Sequence, residues 1–246
     1  MRCAVYQFGQ LEYDRAYDLQ LELLERRIND NIGDVLLLLE HPPTITVGKS
    51  GSPENILVSR AELAARGIST FFNDRGGDVT YHGPGQLVGY PIIDLKTRER
   101  DLHRYINELE EALIATLADF GIQSERDSSH RGVWVAEREI VAIGLRVKKW
   151  VTMHGFALNV NTDLASFSLI NPCGFSDRGA TSMAALLSRE MSMAAVTEKL
   201  LGRFSEVFEA QLDLASDQVT EALLAGAGGY HLAGTSNHGK KTATLV

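Results

Sequence analysis

The order of strand-like and helix-like segments constrains the fold of this chain more than any other sequence feature. The apolar run at 35–39 is short and stops at Pro42 and Pro43, which favours a buried strand. Three further strand-like runs, at 133–136, 140–147 and 150–160, follow one another with short turns between them. That spacing predicts an antiparallel meander.

Helical periodicity occurs in only a few places. Apolar residues recur three or four positions apart at 101–120 and at 11–29, and a last helix is predicted at 194–214. Because strands outnumber helices and the two do not alternate strictly, the pattern predicts an α+β or mixed α/β domain. The segment 162–188 is predicted to be irregular.

The length and composition fit one globular domain. The chain has 246 residues, of which 44% are hydrophobic and 23% are charged. We predict a single catalytic domain at 1–222, followed by a disordered tail at 223–246 that is rich in small and polar residues.

Charge and hydropathy exclude several classes of function. The net charge of -8 argues against broad nucleic-acid binding, which needs a basic surface. No apolar run approaches the roughly 20 residues of a membrane-spanning helix, and the first residues lack the apolar core of a secretory signal. We therefore expect a cytoplasmic protein that does not bind membranes.

The metal and nucleotide motifs of common enzymes are missing from the sequence. The two cysteines, Cys3 and Cys173, are too few for a thiolate zinc site, and the histidines show no H-x-x-x-H or H-E-x-x-H pair. No G-x-x-x-x-G-K-S/T sequence occurs, so a P-loop nucleotide site is not supported. We expect no metal and no cofactor.

Two glycine-containing segments sit where predicted strands meet turns. The first is Arg75-Gly76-Gly77-Asp78-Val79-Thr80-Tyr81-His82, followed by Gly83-Pro84-Gly85-Gln86. The second joins Ala142-Ile143-Gly144 to Gly155-Phe156-Ala157 on the next strand. Such glycines let a ligand or another backbone approach closely. A plain hairpin and ordinary strand packing remain alternative interpretations of the two segments.

The segment Ile170-Asn171-Pro172-Cys173-Gly174 presents a candidate nucleophile. Pro172 fixes one backbone angle, and Gly174 leaves the neighbouring thiol unobstructed. In a reducing compartment a disulfide to Cys3 is disfavoured. Cys173 is therefore interpreted as a reactive thiol, and a buried structural cysteine is the alternative.

Taken together, these segments closely resemble the lipoyl(octanoyl) transferases. The matching stretches occur in the family's order and span most of residues 5 to 187. Besides the three segments above they include Leu37-Leu38-Leu39-Glu40-His41-Pro42-Pro43, Gly132-Val133-Trp134-Val135 and His154-Gly155-Phe156-Ala157-Leu158-Asn159-Val160.

The resemblance implies a biotin/lipoate protein ligase-like fold, with a mixed or antiparallel sheet flanked by helices. It implies that octanoyl passes from octanoyl-acyl carrier protein to Cys173 as a thioester. The acyl group then passes to a lysine on lipoyl domains of 2-oxoacid dehydrogenase E2 subunits or of the glycine cleavage H protein. The acyl site implied by the family comprises Arg75, Gly76, Gly77, Asp78, Val79, Thr80, Tyr81, His82, Ala142, Ile143, Gly144, Gly155, Phe156 and Ala157.

One position departs from the family pattern. The family places a lysine, which lowers the pKa of the cysteine, where this chain has Glu139. An anion there is expected to raise the thiol pKa. Three explanations are open: another cation takes the lysine's place, Glu139 acts as a general base, or transfer is weakened or lost. The candidate cations are Arg138, Lys148, Lys149 and Lys49.

Three rival functions stand beside the transferase. They are a carrier-binding protein without turnover, a thioesterase that hydrolyses the acyl-Cys173 intermediate, and, more distantly, an ATP-dependent ligase. For an acidic carrier, the sequence offers a basic cluster of Arg146, Lys148 and Lys149, which is interpreted either as a docking patch or as a solvated strand end.

Overall fold

A computed structural model describes residues 1–127, 130–171 and 179–226. In these ranges the chain forms two β-sheets and six α-helices. The strands are β1 (Arg2–Gln10), β2 (Asp34–Glu40), β3 (Thr44–Val47), β4 (Ser69–Phe72), β5 (Val79–His82), β6 (Gln86–Ile92), β7 (Glu125–Arg126), β8 (Gly132–Val135), β9 (Arg138–Lys148), β10 (Val151–Asn159) and β11 (Gln211–Leu214). The helices are α1 (Tyr13–Ile28), α2 (Arg60–Ala65), α3 (Leu102–Ala118), α4 (Met183–Leu187), α5 (Met193–Phe208) and α6 (Asp217–Gly226).

The larger sheet has eight strands in the order β11-β1-β2-β6-β10-β9-β8-β7. β1 pairs in parallel with β11 and β2, and the other neighbours are antiparallel. This mixed sheet, with helices packed on it, confirms the predicted fold class. The predicted meander is confirmed as β8, β9 and β10.

Both faces of the larger sheet are covered, which explains the continuous apolar run of β2. Leu36 and Leu38 join the core beneath α3 and α5, whereas Leu37 and Leu39 join the core beneath α1. Side chains of a strand alternate between faces, so a strand buried on both sides must be apolar at every position.

Local sequence signals set the bounds of α3. The Asp101 carboxylate accepts a hydrogen bond from the backbone N–H of Arg104 at 3.0 Å, which caps the helix. Leu109, Leu113 and Leu117 lie on its buried face. Gly121 follows with a φ of +77°, a conformation in which glycine avoids strain.

The smaller sheet has three strands in the order β4-β3-β5 and a core of its own around Ile45 and Tyr81. It lies beside α1, because the ring of Phe71 on β4 is 5.0 Å from that of Tyr13. The loop between β4 and β5, residues 73–78, therefore lies close to the larger sheet.

Three segments differ from the sequence predictions. The last helix ends at Phe208, because Glu209 takes a left-handed conformation with φ of +49°, and residues 211–214 pair with β1 as a strand instead. The segment 162–188 includes a 3₁₀ helix at Leu164–Leu169 as well as α4. The predicted tail starts at 223, but α6 extends to Gly226, and 227–246 lie outside the described residues.

No helix within the described ranges is both long enough and apolar enough to cross a bilayer.

Candidate active site

The loop 73–78 lies directly against β9. The backbone N–H of Gly76 donates a hydrogen bond to the carbonyl of Leu145 at 3.0 Å. A Cβ on Gly144 would lie 2.6 Å from Cδ of Arg75, and a Cβ on Gly76 would lie 3.0 Å from the Leu145 carbonyl oxygen. Glycine at these two positions is what allows the loop and the strand to approach.

The second predicted segment meets the first at the same place. Gly144 on β9 pairs with Gly155 on β10. A Cβ on Gly155 would lie only 2.0 Å from the carbonyl oxygen of Gly89 on β6. The structure thus brings the loop of Arg75 and Gly76 together with the backbone around Gly144 and Gly155.

The guanidinium of Arg75 fixes the loop from within. It donates to the carbonyl of Gly76 at 2.9 Å, to that of Asp78 at 2.7 Å and to the Thr46 hydroxyl at 3.2 Å. Its aliphatic part meanwhile crosses Gly144. Arg75 therefore connects β3, the loop and β9.

The other predicted acyl-site residues divide between site and core. In β5, Val79 and Tyr81 point into the core of the smaller sheet, whereas His82 points towards α1. Phe156 and Ala157 lie in the two cores on opposite faces of the larger sheet. Because their side chains are packed in these cores, only the backbone of Phe156 and Ala157 is available to line a site near the loop.

A cluster of buried histidine and tyrosine side chains lies beneath the loop. His82 Nδ1–H donates to the Gln86 side-chain oxygen at 2.8 Å, with the tautomer assigned from that contact. His41 contacts the Tyr90 hydroxyl at 2.6 Å, and the rings of His41 and His82 are 5.6 Å apart. Burial lowers the pKa of His82 to about 3 and that of His41 to about 4, so both rings are neutral at pH 7.

Cys173 lies outside the described residues, but the chain on either side of its segment is anchored. The backbone N–H of Asn171 donates to the carbonyl of Asn55 at 2.8 Å. The Asn55 side chain in turn donates to the Asp78 carboxylate at 2.6 Å. On the other side, the Glu139 N–H donates to the carbonyl of Gly179 at 3.0 Å, which ties this part of the chain to β9.

The Glu139 side chain is partly buried and lies beside Gly132. A Cβ added to Gly132 would lie 3.1 Å from Oε1 of Glu139. Burial raises the pKa of the Glu139 carboxyl to about 8, and the positive charge of Arg75 opposes that rise. At pH 7 the carboxyl is therefore mostly protonated. The general-base interpretation of Glu139 relies on the smaller ionised fraction, which grows as the pH approaches 8.

The candidate replacement cations are not all placed to act at Glu139. Lys148 and Lys149 lie at the opposite end of β9, roughly 30 Å away at the rise of an extended strand. At that distance neither lysine lies beside Glu139. Arg138 and Lys49 are exposed, whereas the charge of Arg75 acts on Glu139 and lowers its pKa.

The predicted docking cluster is not a set of three free charges. Arg146 forms an ion pair with Asp74, and Lys148 forms one with Glu25. Lys149 is exposed in the turn between β9 and β10. Two of the three charges are thus compensated by carboxylates, which weakens the attraction that this cluster could offer an acidic carrier.

A network around Asp74 was not foreseen from the sequence. His154 donates from Nε2 to the Asp74 carboxylate at 3.0 Å, and Arg146 contacts the same carboxylate. Burial acts to raise the pKa of Asp74, but the His154 hydrogen bond and the Arg146 charge outweigh it and hold that pKa below its usual value. The sequence signal was the His154-Gly155 pair, which was noted only for its glycine.

Among the described residues, no group of three or more histidine, cysteine or acidic side chains is placed to hold a metal ion. Two clefts in the described surface, of about 480 and 370 Å³, lie at α3 and at β1, away from this site.

Comparison with known proteins agrees with this geometry. Residues 12–205 match the model of the lipoyl protein ligase A/B catalytic domain. An octanoyltransferase of Caldicellulosiruptor bescii is 50% identical over 84% of this chain and 91% of its own length. An octanoyltransferase of Desulforamulus reducens is 43% identical over 89% of this chain and 96% of its own length.

Solved structures show the same fold at low identity. A lipoate-protein ligase A bound with ATP superposes with a TM-score of 0.73 and 17% identity, covering 93% of this chain and 94% of its own. A biotin protein ligase from Aquifex aeolicus, in complex with biotin and ATP, gives a TM-score of 0.52 and 15% identity, covering 84% of this chain and 70% of its own. The predicted biotin/lipoate ligase-like fold is confirmed.

Proposed function

Because the chain belongs to the lipoyl protein ligase A/B catalytic domain family and is an octanoyl-transferring acyltransferase of lipoylation, we propose its donor, acceptor and intermediate. Octanoyl arrives on acyl carrier protein, forms a thioester with Cys173, and passes to the lysine of a lipoyl domain. The acceptors are the E2 subunits of 2-oxoacid dehydrogenases and the glycine cleavage H protein, and the enzyme works in the cytoplasm.

The observation that carries this proposal is the convergence of Gly76, Gly144 and Gly155. Glycine at these positions lets the loop 73–78 pack directly on β9 and lets β10 pack directly on β6. In the proposal the acyl chain lies beside this junction. An octanoyl chain offers about seven CH₂ and CH₃ groups, each contributing roughly 0.8 kcal/mol when buried. An apolar acyl site at this junction would both bind the chain and discriminate between chains of different length.

The first transfer exchanges one thioester for another. The Cys173 thiolate attacks the octanoyl carbonyl, a new C–S bond forms, and the bond to the pantetheine sulfur breaks. The departing thiolate takes up a proton. The exchange is nearly neutral in free energy, and backbone N–H groups of the glycine loop are candidates to stabilise the oxyanion of the intermediate.

The second transfer forms an amide. The neutral amine of the acceptor lysine attacks the acyl-Cys173 carbonyl, the C–S bond breaks, and the lysine nitrogen gives up a proton. Because a thioester is already activated, this step runs downhill without ATP. The sequence, which lacks a P-loop motif, is consistent with that chemistry.

Glu139 is proposed as the proton acceptor for both transfers. Its pKa of about 8 lies near the ordinary thiol value of about 8.5, so proton transfer between the two groups is nearly balanced. The residue also lies on β9, whose backbone binds Gly179, six residues after Cys173. In this scheme Glu139 does by proton transfer what the family's lysine does by charge.

The test is incubation of the pure protein with octanoyl-acyl carrier protein, followed by addition of a lipoyl domain. We expect a mass increase of one octanoyl group on Cys173 and then on the acceptor lysine. Cys173→Ser and Cys173→Ala should abolish both. Full-speed modification by either variant contradicts the thioester intermediate.

A second candidate function follows from the departure at Glu139, namely carrier binding with weakened or no turnover. It predicts that carrier binds without a covalent adduct. Release of free octanoate without domain modification would instead identify a thioesterase. Activity with free octanoate and ATP that survives loss of Cys173 would identify a ligase.

A further inference from the structure

We propose that Asp74 and His154 are positioning residues that fasten the loop 73–78 against β9 and β10 and thereby set the acyl-length preference of the octanoyl site. The proposal rests on the proposed function, because it concerns how the same site measures its substrate. Neither residue is among those that the family resemblance assigned to the site.

The Asp74 carboxylate connects the loop to two strands of the larger sheet and to a helix. It accepts a hydrogen bond from His154 Nε2 on β10 at 3.0 Å and pairs with Arg146 on β9. It also hydrogen-bonds the Tyr17 side chain on α1. The His154 side chain is 1% exposed and the Asp74 side chain 36%, so a buried ring meets a carboxylate at the protein surface.

The position of Asp74 in the chain makes this contact relevant to the acyl site. Asp74 directly precedes Arg75, whose Cδ occupies the space that a Cβ on Gly144 would need. Gly76, one residue further, is hydrogen-bonded to Leu145. A movement of Asp74 away from the sheet therefore shifts the residues that face Gly144.

The backbone of His154 is strained in a way that serves the contact. Met153 already points into the core beneath α1, so regular alternation would send the next side chain to the opposite face. Instead His154 takes a φ of +60°, and its ring stacks on Tyr17 of α1 at 5.8 Å. Non-glycine residues rarely hold this conformation unless the surrounding structure enforces it.

Besides the backbone strain, His154 carries a buried nitrogen without a hydrogen-bond partner among the described residues. With Nε2–H donated to Asp74, the buried Nδ1 of His154 has no hydrogen-bond partner within the described part of the chain. A residue selected only to stabilise the sheet would carry neither cost. The placement of His154 supplies a hydrogen-bond donor to Asp74, and this hydrogen bond holds the loop 73–78 against β10.

The chain offers a matched control on the same strand. Lys148 on β9 pairs with Glu25 on α1, and this ion pair involves no residue of the loop 73–78. Lys148→Ala removes an ion pair between the same two elements that Arg146 and Tyr17 connect, and leaves the loop contacts in place. If Asp74 and His154 only stabilised the fold, their variants should resemble this control.

Three variants test the proposal. Asp74→Ala removes the carboxylate, and Asp74→Asn keeps an oxygen that accepts from His154 Nε2–H. His154→Asn suits a left-handed backbone better than most residues, so the fold is expected to survive, but its side chain is too short to reach Asp74. The melting temperature of each variant reports the structural contribution separately.

The measurement is formation of acyl-Cys173 from hexanoyl, octanoyl and decanoyl thioesters of pantetheine. For Asp74→Ala and His154→Asn we expect KM for the octanoyl donor to rise about tenfold, with kcat within about threefold of the original protein. The preference for octanoyl over the other two chains should fall about fivefold. Asp74→Asn should lie within about threefold of the original protein on every measure.

The contradicting outcome is that these variants behave like the control. If Asp74→Ala and His154→Asn match Lys148→Ala in KM and chain-length preference, and differ only in melting temperature, the positioning role is wrong. Failure of the unsubstituted protein to acylate Cys173 would contradict the proposed function instead, so the two failures are distinguishable.

Discussion

Two charged networks in this molecule differ in how completely their polar groups are paired. At one edge of the larger sheet, Arg27 donates to Asp34 at 2.8 Å and lies 3.4 Å from Asp94, which also pairs with Lys96 at 3.1 Å. The same Asp34 accepts the backbone N–H of Asp94 at 2.9 Å. Every carboxylate in this network has a cationic partner.

The network at the candidate site is less well satisfied. His154 has a left-handed backbone and an unpartnered Nδ1 in the described part of the chain, and Glu139 is a partly buried carboxyl whose pKa is raised to about 8. Strain and incomplete pairing persist in folded proteins mainly where function needs them. The comparison predicts that the Arg27 network governs stability, whereas the site network governs activity.

Arg27→Met should have the largest effect on stability. Loss of one partner leaves buried carboxylates without their main cation, which costs about 3–5 kcal/mol of the free energy of unfolding. Urea unfolding measures this change. The matched control is Arg2→Met, which removes the exposed pair with Asp213 and should cost less than about 1 kcal/mol. A large loss of kcat in the folded Arg27→Met protein would contradict the prediction that this network governs stability and not activity.

Gly144→Ala should have the largest effect on activity at the site. The added Cβ would lie 2.6 Å from Cδ of Arg75 and 2.9 Å from the Gly76 carbonyl, so the loop must move outward. We expect kcat/KM for acylation of Cys173 to fall about 100-fold. Gly202→Ala in α5, where a Cβ meets nothing within 4 Å, is the control and should leave kinetics unchanged.

Glu139→Gln should stabilise the protein at high pH. The folded carboxyl has a pKa of about 8 and the unfolded one about 4.5, so stability of the original protein falls as pH rises between these values. Glutamine does not titrate, so the variant should gain on the order of 2 kcal/mol at pH 8 and nothing below pH 4.5. Thermal unfolding at both pH values checks this, and a variant less stable at pH 8 would contradict the burial of the carboxyl.

Glu139→Gln should also slow the first transfer, by less than Gly144→Ala does. If Glu139 accepts the thiol proton, the rate of acyl-Cys173 formation rises with pH through about 8 as the carboxyl ionises. Glu139→Gln should remove that ionisation from the pH profile and lower the rate at pH 8 about tenfold. An unchanged profile would show that the carboxyl takes no proton in this step.

Much of the fold was accessible from the sequence because its signals are local. Periodicity placed α1 and α3 to within about three residues, and the run at 35–39 identified β2. The error at 211–214 arose because an edge strand of mostly exposed residues pairs with β1, and that pairing lies about two hundred residues away in sequence. A local pattern holds no information about such a contact.

The candidate site was partly accessible for the same reason. Gly76, Gly144 and Gly155 stood out because each interrupts a strand or a turn, and the structure shows that they meet. Asp74 and His154 did not stand out, because their contact depends on a left-handed backbone at position 154. The pKa of Glu139 also depends on burial, which composition does not specify.

The parallel pairing of β11 with β1 has a consequence for synthesis of the chain. Arg2 faces Gln211 in that ladder, so the outer edge of β1 stays open until more than two hundred residues have left the ribosome. Contacts of such long sequence separation slow the final closure of a sheet. During translation, the first strand thus presents an unpaired hydrogen-bonding edge, which makes it the strand of this sheet exposed for longest to pairing with other chains.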